Sequence, residues 1–421
     1  MQAADLGPVP DAGKTQSPVD LFLIIAGANL VATTLQTGAS LAPAFGLNQA
    51  ALLVTGGVVL GSGLVAALTP LGPRLGVPSV VACRAALGLR GGALVSLILY
   101  VTNFAWIAVN NVIAASACAR LFGGPGSERF WAFGLGLLAT AVVVGGPRAV
   151  SHADRVAVPL LLLVGGVLTF ACLRLPAALT SAPGNGSMTA VRGLDVVIGY
   201  QVSWLLVFGD YPRYTRSPGK AAAAVFLGLA LTSLWFLPLG FVAARAAGST
   251  NPGAMLAAAG IGGLGAVLLV LATLTTNFVN IYMSALAWKS LVPEARDHAS
   301  IWMIGIVGAA LSLFSGWLER YADFMLLLGG LLVPVGGVLL AHFFVLRRPV
   351  DVADLYAAIG PGSRHGGFAI PGMCGWAAGA TAYFLAGSVG GTGGIGGTLP
   401  ALVTALVVTW GLERALPRPA Q

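Results

Sequence analysis

GANLVATTLQTGAS, from Gly27 to Ser40, sits in the middle of an apolar run that extends from about residue 20 to 44. Gly, Asn, Thr and Gln therefore fall at mid-depth of a segment long enough to cross a bilayer, which needs roughly 20 mostly apolar residues. A second stretch of the same kind, IGYQVSWLLVFGDYPRY, runs from Ile198 to Tyr214. Lipid cannot satisfy the backbone groups of an interrupted helix, so such an interruption persists only where it lines a cavity or holds a ligand. Two interrupted segments in corresponding halves of a chain point to a transport site. The plainer alternative is a pair of Gly-rich helices that merely pack closely.

The rest of the chain supports a membrane reading. Of 421 residues, 57 % are apolar and 9 % charged, where a soluble domain carries about 25 % charged residues. Twelve candidate spans follow, near 20–44, 50–70, 92–119, 130–147, 155–175, 191–210, 221–246, 262–289, 300–317, 321–346, 368–388 and 396–413. The fold class is an all-α integral membrane protein with a short tail at 1–19 and another at 414–421. Residues 1–19 lack the basic and apolar regions of a cleaved signal and read as a cytoplasmic tail.

Charge tests the count. With the N-terminus inside, Arg120, Arg129, Arg174, Arg192, Arg245 and Arg320 fall outside, and the other 16 of the 22 Lys and Arg fall inside. That asymmetry follows the positive-inside rule and predicts a multi-pass protein of the cytoplasmic membrane with both ends in the cytoplasm. It also accounts for the net charge of +8 without nucleic acid, because the basic residues sit in short gaps rather than in one patch. The four cysteines, Cys83, Cys118, Cys172 and Cys374, show no metal-ligand spacing. No nucleotide loop, nucleophile elbow or metal signature occurs, so neither an enzyme nor a cofactor is expected.

Two further segments carry polar stripes. In LYVTNFAWIAVNNVIA, Asn103, Trp106 and Asn110 are spaced i, i+3, i+7 and share one helix face, with Asn111 turned away. An indole can stack on a flat ring while amides pair with its N–H and C=O edge. Bonding between helices would use the same residues. In ATLTTNFVNIYMSALAW, Thr273, Asn277, Asn280 and Ser284 follow one face, and Thr275 and Thr276 add hydroxyls. Hydroxyls with freed carbonyls make a hard-oxygen site suited to Na⁺, although Ser and Thr also bond back to their own helix. Carboxylates are sparse in the spans: Asp195 and Asp323 stand at span starts, and Asp210, near Arg213, at a span end. A proton-driven carrier usually buries an acid, so a cation other than H⁺ is favoured. His342 reads as a packed or snorkelling residue.

These segments resemble the nucleobase:cation symporter-1 family, in its cytosine permease branch. The resemblance rests on GPVP at Gly7, the Gly27 run, PSVVACRAALGLRGG from Pro78, Trp106, GDYPRYTRS from Gly209, TTNFVNIY from Thr275 and PVGGVLLAHFFVLRRP from Pro334, covering about residues 7 to 410. It implies a leucine-transporter-type fold, with a transport core at 20–346 formed by inverted five-helix repeats at about 20–175 and 191–346. Two peripheral helices then occupy 368–413. It implies symport of a nucleobase-like heterocycle with Na⁺ or H⁺. It places Trp106 as stacking residue with Asn110 beside it, and Thr275, Thr276 and the carbonyls of Gly27 and Leu30 at the cation. The second aromatic wall falls near Tyr200 and Gln201, with Trp204 one turn on. Where the family often has Asp on helix ten, this chain has His342. The run YQVSW, Tyr200 to Trp204, is also similar to that of carriers of thiamine's pyrimidine precursor. A monomer acting on a small molecule in the bilayer is expected. A same-fold carrier of amines or amino acids would instead need helix ends arranged for a carboxylate. A non-transporting receptor would show no ion-dependent uptake.

Overall fold

The computed structural model describes residues 7–123, 126–145, 147–175, 182–292, 294–314, 316–357, 367–388 and 394–416. Arg364 and Arg418 lie outside them, as do the side chains of Arg148, His152, Arg155 and Lys289 and the outermost parts of both tails. Among the described residues all regular secondary structure is helical, with no strand.

Helix α1 spans Pro18–Asn29 and α2 spans Ala32–Leu41. They are followed by α3 (Leu47–Leu68), α4 (Leu71–Leu75), α5 (Ser79–Phe122), α6 (Glu128–Val144) and α7 (Pro147–Leu173). The second half holds α8 (Ala190–Val202), α9 (Pro218–Ala247), α10 (Pro252–Ala258), α11 (Gly262–Leu291), α12 (Asp297–Leu311) and α13 (Tyr321–Leu340). Helices α14 (Ile370–Ser388) and α15 (Thr398–Ala415) close the chain. Six helices are long and apolar enough to cross a membrane, or seven if the bent pair α1 and α2 is one span. Large apolar side chains such as Leu52, Phe130 and Leu173 are exposed on the outer surface. Such a surface belongs in lipid, and the chain is a multi-pass integral membrane protein.

The expected break in the first span is present. α1 begins at a capping box in which Ser17 and Asp20 satisfy each other's backbone N–H groups. It stops at Asn29, and α2 leaves at 57° to it. Leu30 and Val31 in between adopt non-helical backbone angles. The sixth segment is interrupted more gently. After Val202, α8 tightens into a 3-10 turn over Ser203–Val207, and the Ser203 hydroxyl donates to the Tyr200 carbonyl. The two interruptions are thus unequal, a bend in one and an overwinding in the other.

Other boundaries moved. The third expected span begins 13 residues early, at Ser79, because Gly88 takes φ 82° and lets the helix kink instead of ending. The segment expected at 300–317 ends at Leu311, where the Ser312 hydroxyl bonds back to Ala309. α10 arises in a stretch read as a connection; Asn251 caps it and Pro252 stands at its first position.

α1 and α2 pack on α9, α8 packs on α3 and α13, and the long α5 packs on α11. The tail and several connections meet at one end. Lys14 donates to the Pro73 carbonyl, Arg213 to that of Gly7 and Arg216 to that of Lys14. Asp210, expected beside Arg213, accepts from the backbone and hydroxyl of Ser79 and so caps α5. Asp195 likewise accepts from Gly397 and Thr398 at the start of α15, and Asp323 pairs with Arg192.

The α2–α9 contact is backbone to backbone. A Cβ at Gly38 would overlap the Leu237 carbonyl, and one at Gly240 the Leu35 carbonyl. Neither carbonyl can swing aside as a side chain could. Gly38→Ala should therefore destabilise the purified protein by about 1–3 kcal/mol, the usual range for overpacking. Gly63 on α3 meets nothing within 4 Å, so Gly63→Ala should be neutral or slightly stabilising. Thermal unfolding of the two variants decides; equal midpoints would mean that the close approach contributes nothing.

Candidate functional site at the helix break

Asn29 is the last residue of α1 and is fully buried. Its amide nitrogen donates to Thr232 Oγ1 and Ser233 Oγ on α9, both at 2.8 Å, with the Leu229 carbonyl at 3.3 Å. Thr232 spends its own proton on the Gly228 carbonyl, which leaves its oxygen as an acceptor. On the other side Asn29 Oδ1 accepts from Trp204 Nε1 at 3.1 Å, and the Tyr200 hydroxyl oxygen lies nearby at 3.2 Å without giving it its proton. Thr34 donates to the Asn29 carbonyl at 2.5 Å, so the Tyr200 hydroxyl, 2.6 Å away, donates to Thr34. The break between α1 and α2 is thus tied to α8 and α9 through one amide.

Aromatic rings gather at the same point. Trp106 of α5 meets Tyr200 edge-on at 6.3 Å between centroids, Tyr321 at 6.4 Å and Phe324 at 5.0 Å. Such T-shaped packing suits the opposite charges of ring edge and ring face. Tyr321 is held from α2, since its hydroxyl donates to the Thr33 carbonyl and lies 2.9 Å from Thr37 Oγ1. Of the aromatic candidates on the sixth segment, Tyr200 meets Trp106, and Trp204 turns its N–H to Asn29.

The amide candidates divide. Asn110 donates to the Trp106 carbonyl one turn back, which keeps both on one face, and its oxygen finds no partner in the protein. Asn103 is buried with its amide nitrogen likewise unsatisfied. Gln201 is fully buried with both amide atoms unsatisfied, but it packs on Gly61 of α3. Asn277 reaches across to α5 and donates to Asn111 Oδ1 at 2.7 Å. Asn111, expected to be turned away from the face of Trp106 and Asn110, makes this contact with α11. Asn280 keeps an unsatisfied amide nitrogen. Buried polar atoms rarely stay unpaired, so the free atoms of Asn103 and Asn110 beside Trp106 suit a ligand's polar edge.

The hydroxyls of α11 bond back to their own helix: Thr275 and Thr276 both donate to the Ala272 carbonyl, Thr273 to Leu269 and Ser284 to Asn280. Donation uses the proton and leaves each oxygen's lone pairs open, so Thr275 and Thr276 still have acceptor capacity. Gly27 stands in the last turn of α1, where carbonyls lack helical donors, and Leu30 stands in the break itself. Among the described residues no group of three His, Cys, Asp or Glu could hold a metal ion.

Three residues escaped the sequence reading. Asn29 was in view within the polar run, and its place at the break was the available signal. Tyr321 and Phe324 carry no local signal, because only packing brings α13 to Trp106. His342, read as packed or snorkelling, is buried against Phe343 and is also hydrogen-bonded. It lies in a π-helical turn over Ala341–Val345, with Nδ1 2.8 Å from Glu413, which also accepts from Arg348.

Residues 8–412 match the family described as permeases for cytosine/purines, uracil, thiamine and allantoin. The chain belongs to this family, the nucleobase:cation symporters. Cytosine permease of Escherichia coli strain K12 is 24 % identical over 388 residues, covering 85 % of this chain and 88 % of that protein. Among solved structures, Mhp1, a nucleobase-cation-symport-1 transporter, was determined closed with bromovinylhydantoin bound. It matches with a TM-score of 0.80 at 19 % identity, over 99 % of this chain and 97 % of Mhp1. Its inward-facing form matches with a TM-score of 0.85 at 19 % identity, over 97 % and 92 %. A Na⁺-coupled sialic acid symporter shares the fold at 12 % identity and a TM-score of 0.63, over 97 % of this chain and 92 % of that one. The family makes this chain a transporter of the nucleobase-permease type.

Asn29→Ala removes donors and acceptor together and leaves Trp204 Nε1, Thr232 and Ser233 without their amide partner. Unsatisfied buried groups cost about 1–3 kcal/mol, so the unfolding midpoint of the purified protein should fall clearly. Thr232→Val removes only one of the acceptors and should cost less. An Asn29→Ala midpoint equal to that of the parent would contradict the tie described here.

Proposed function

We propose that the protein is a secondary active transporter that imports a nucleobase-like heterocycle, cytosine or a related pyrimidine or purine, by cation symport with alternating access. The observation that carries this reading is the pairing of Trp106 with Tyr200 beside the α1–α2 break, with free buried amide atoms on Asn103 and Asn110. Aromatic faces and amide edges suit a flat neutral ring with N–H and C=O groups. Tyr200, Trp204 and Gln201 from the sixth segment and Asn277 and Asn280 from α11 complete the candidate substrate set.

On this reading twelve spans cross the cytoplasmic membrane, the first ten forming an inverted five-plus-five repeat, with α14 and α15 peripheral. Both termini are cytoplasmic, in keeping with the meeting of the tail with Pro73, Arg213 and Arg216 at one end. Asp210 and Arg213 form part of the closure at that end. The coupling ion is Na⁺, taken up by the carbonyls of Gly27 and Leu30 and the hydroxyls of Thr275 and Thr276. Oxygen donors without a carboxylate suit a hard cation better than a proton relay. The protein works as a monomer and needs no cofactor.

Stacking of a base on an aromatic ring is worth about 1–3 kcal/mol, and tenfold in affinity is about 1.4 kcal/mol. Trp106→Ala should weaken solute binding to purified, folded protein by roughly five- to a hundredfold, and Trp106→Phe by less. Asn110→Ala should keep stacking but relax selection among related rings. Undiminished binding by Trp106→Ala would place the ring elsewhere.

The cation assignment is tested apart from the ring. Uptake of radiolabelled pyrimidines and purines into proteoliposomes should depend on external Na⁺. Replacing both Thr275 and Thr276 with Val should raise the Na⁺ concentration needed for half-maximal uptake by at least tenfold, a loss of about 1.4 kcal/mol. Solute affinity at saturating Na⁺ should change less. Uptake driven by a pH gradient alone, with no response to Na⁺, would refute it.

A further inference from the structure

The run Leu346 to Pro349, LRRP, ends the tenth span, and nothing in the proposed transport site uses it. In the structure it lines a cavity of about 450 Å³ against α4. Three guanidinium groups contribute, from Arg74, Arg347 and Arg348, and the walls between them include Leu71, Phe343 and Phe344. Arg348 is already committed, since its Nε donates to Glu413 at 2.8 Å and its Nη2 to the Glu413 carbonyl at 3.0 Å. The other two are not. Arg74 lies 5.9 Å from the centre of the Phe344 ring, and among the described residues no carboxylate pairs with Arg74 or Arg347.

The backbone supports a built feature. Arg347 has φ 50°, the one described non-glycine residue with positive φ. A side-chain-bearing residue disfavours that region and keeps it where the surroundings impose it. Here it follows the π-helical turn Ala341–Val345, where the span gives way to a connection. The cavity therefore sits where a membrane helix ends, the depth at which headgroups are expected.

We propose that this cavity binds the headgroup of an anionic phospholipid, its phosphate on Arg74 and Arg347 and its acyl chains passing out over the half-buried Phe343, Phe344 and Leu75. A guanidinium fork matches phosphate oxygens in pairs, and basic pockets between membrane helices suit such headgroups. A soluble phosphate would gain the same charge contacts but would leave the phenyl and leucine walls wet, so the mixed lining favours a lipid. The occupant would bridge α4 to the end of the tenth span, two elements whose side chains meet across the cavity.

The test uses the full chain purified in a neutral detergent, titrated with dioleoylphosphatidylglycerol or with dioleoylphosphatidylcholine, and native mass spectrometry counts the bound lipid. The parent should hold one phosphatidylglycerol in preference to phosphatidylcholine and release it as salt rises. Arg74→Ala and Arg347→Ala should each weaken that binding about fivefold, while Arg74→Lys and Arg347→Lys, which keep the charge but not the fork, should each weaken it less. sn-Glycerol 3-phosphate, which has the charge without the chains, should not displace the lipid at equal concentration. Equal binding of the two lipids by the parent, or full retention by the double alanine variant, would overturn the proposal. Displacement by glycerol phosphate would make the cavity a soluble-anion site and overturn the lipid assignment.

Discussion

Inside a bilayer a helix cannot stop unless something else satisfies its ends, and in this protein Asn29 answers that constraint. Its side chain accepts from Trp204, donates to Thr232 and Ser233, and its carbonyl takes the Thr34 proton. Three helical segments are thereby fixed at one point. The placement of Tyr200 follows, because its hydroxyl donates to Thr34, whose own proton is held by the Asn29 carbonyl. Trp106 then packs against Tyr200. The aromatic assembly is downstream of a backbone problem at residues 30 and 31.

Small residues solve the companion problem of distance. An amide on α1 reaches hydroxyls on α9 only if the broken span lies close to α9, which Gly38 and Gly240 permit on the α2 side of the break by presenting no side chain. Gly228 on α9 does the same opposite Ile25. The high glycine content is therefore partly a geometric requirement of the hydrogen bonds. It is also partly ordinary membrane packing, since several glycines, Gly63 and Gly166 among them, face nothing within 4 Å.

How much of this could be read from the chain differs by level. Each apolar run of about 20 residues became helix, because in lipid the local composition settles the local structure. The break at Asn29 was legible for the same reason: a polar, glycine-bearing run has no stable place in the middle of a span. The face shared by Trp106 and Asn110 followed from helical spacing. Tyr321 and Phe324 were not legible, since nothing in YADFML says that it will lie against α5. The Asn277 bond to Asn111 was not legible, because spacing fixes which residues share a face and not which helix that face meets. Glu413 escaped notice as a membrane-end carboxylate, and with it the partner of His342, which lies 71 positions away in the chain.

The break also sets the electrostatics open to the proposed reading. A helix ends with its carbonyls carrying a partial negative charge and begins with N–H groups carrying a partial positive one. α1 ends and α2 begins within three residues of each other, so both poles face the same neighbourhood. The first suits a cation at Gly27 and Leu30; the second suits an acceptor oxygen on a ring. Neither requires an ionised side chain, which would be costly to keep unpaired at that depth. The two poles are covalently joined through Leu30 and Val31, so a shift of either helix end changes both. Coupling between an ion and a neutral solute then needs no charge pair between them. It needs only that occupancy at one side of the break favour a position of the chain that suits the other, and two ligands so related must strengthen each other's binding by the same factor.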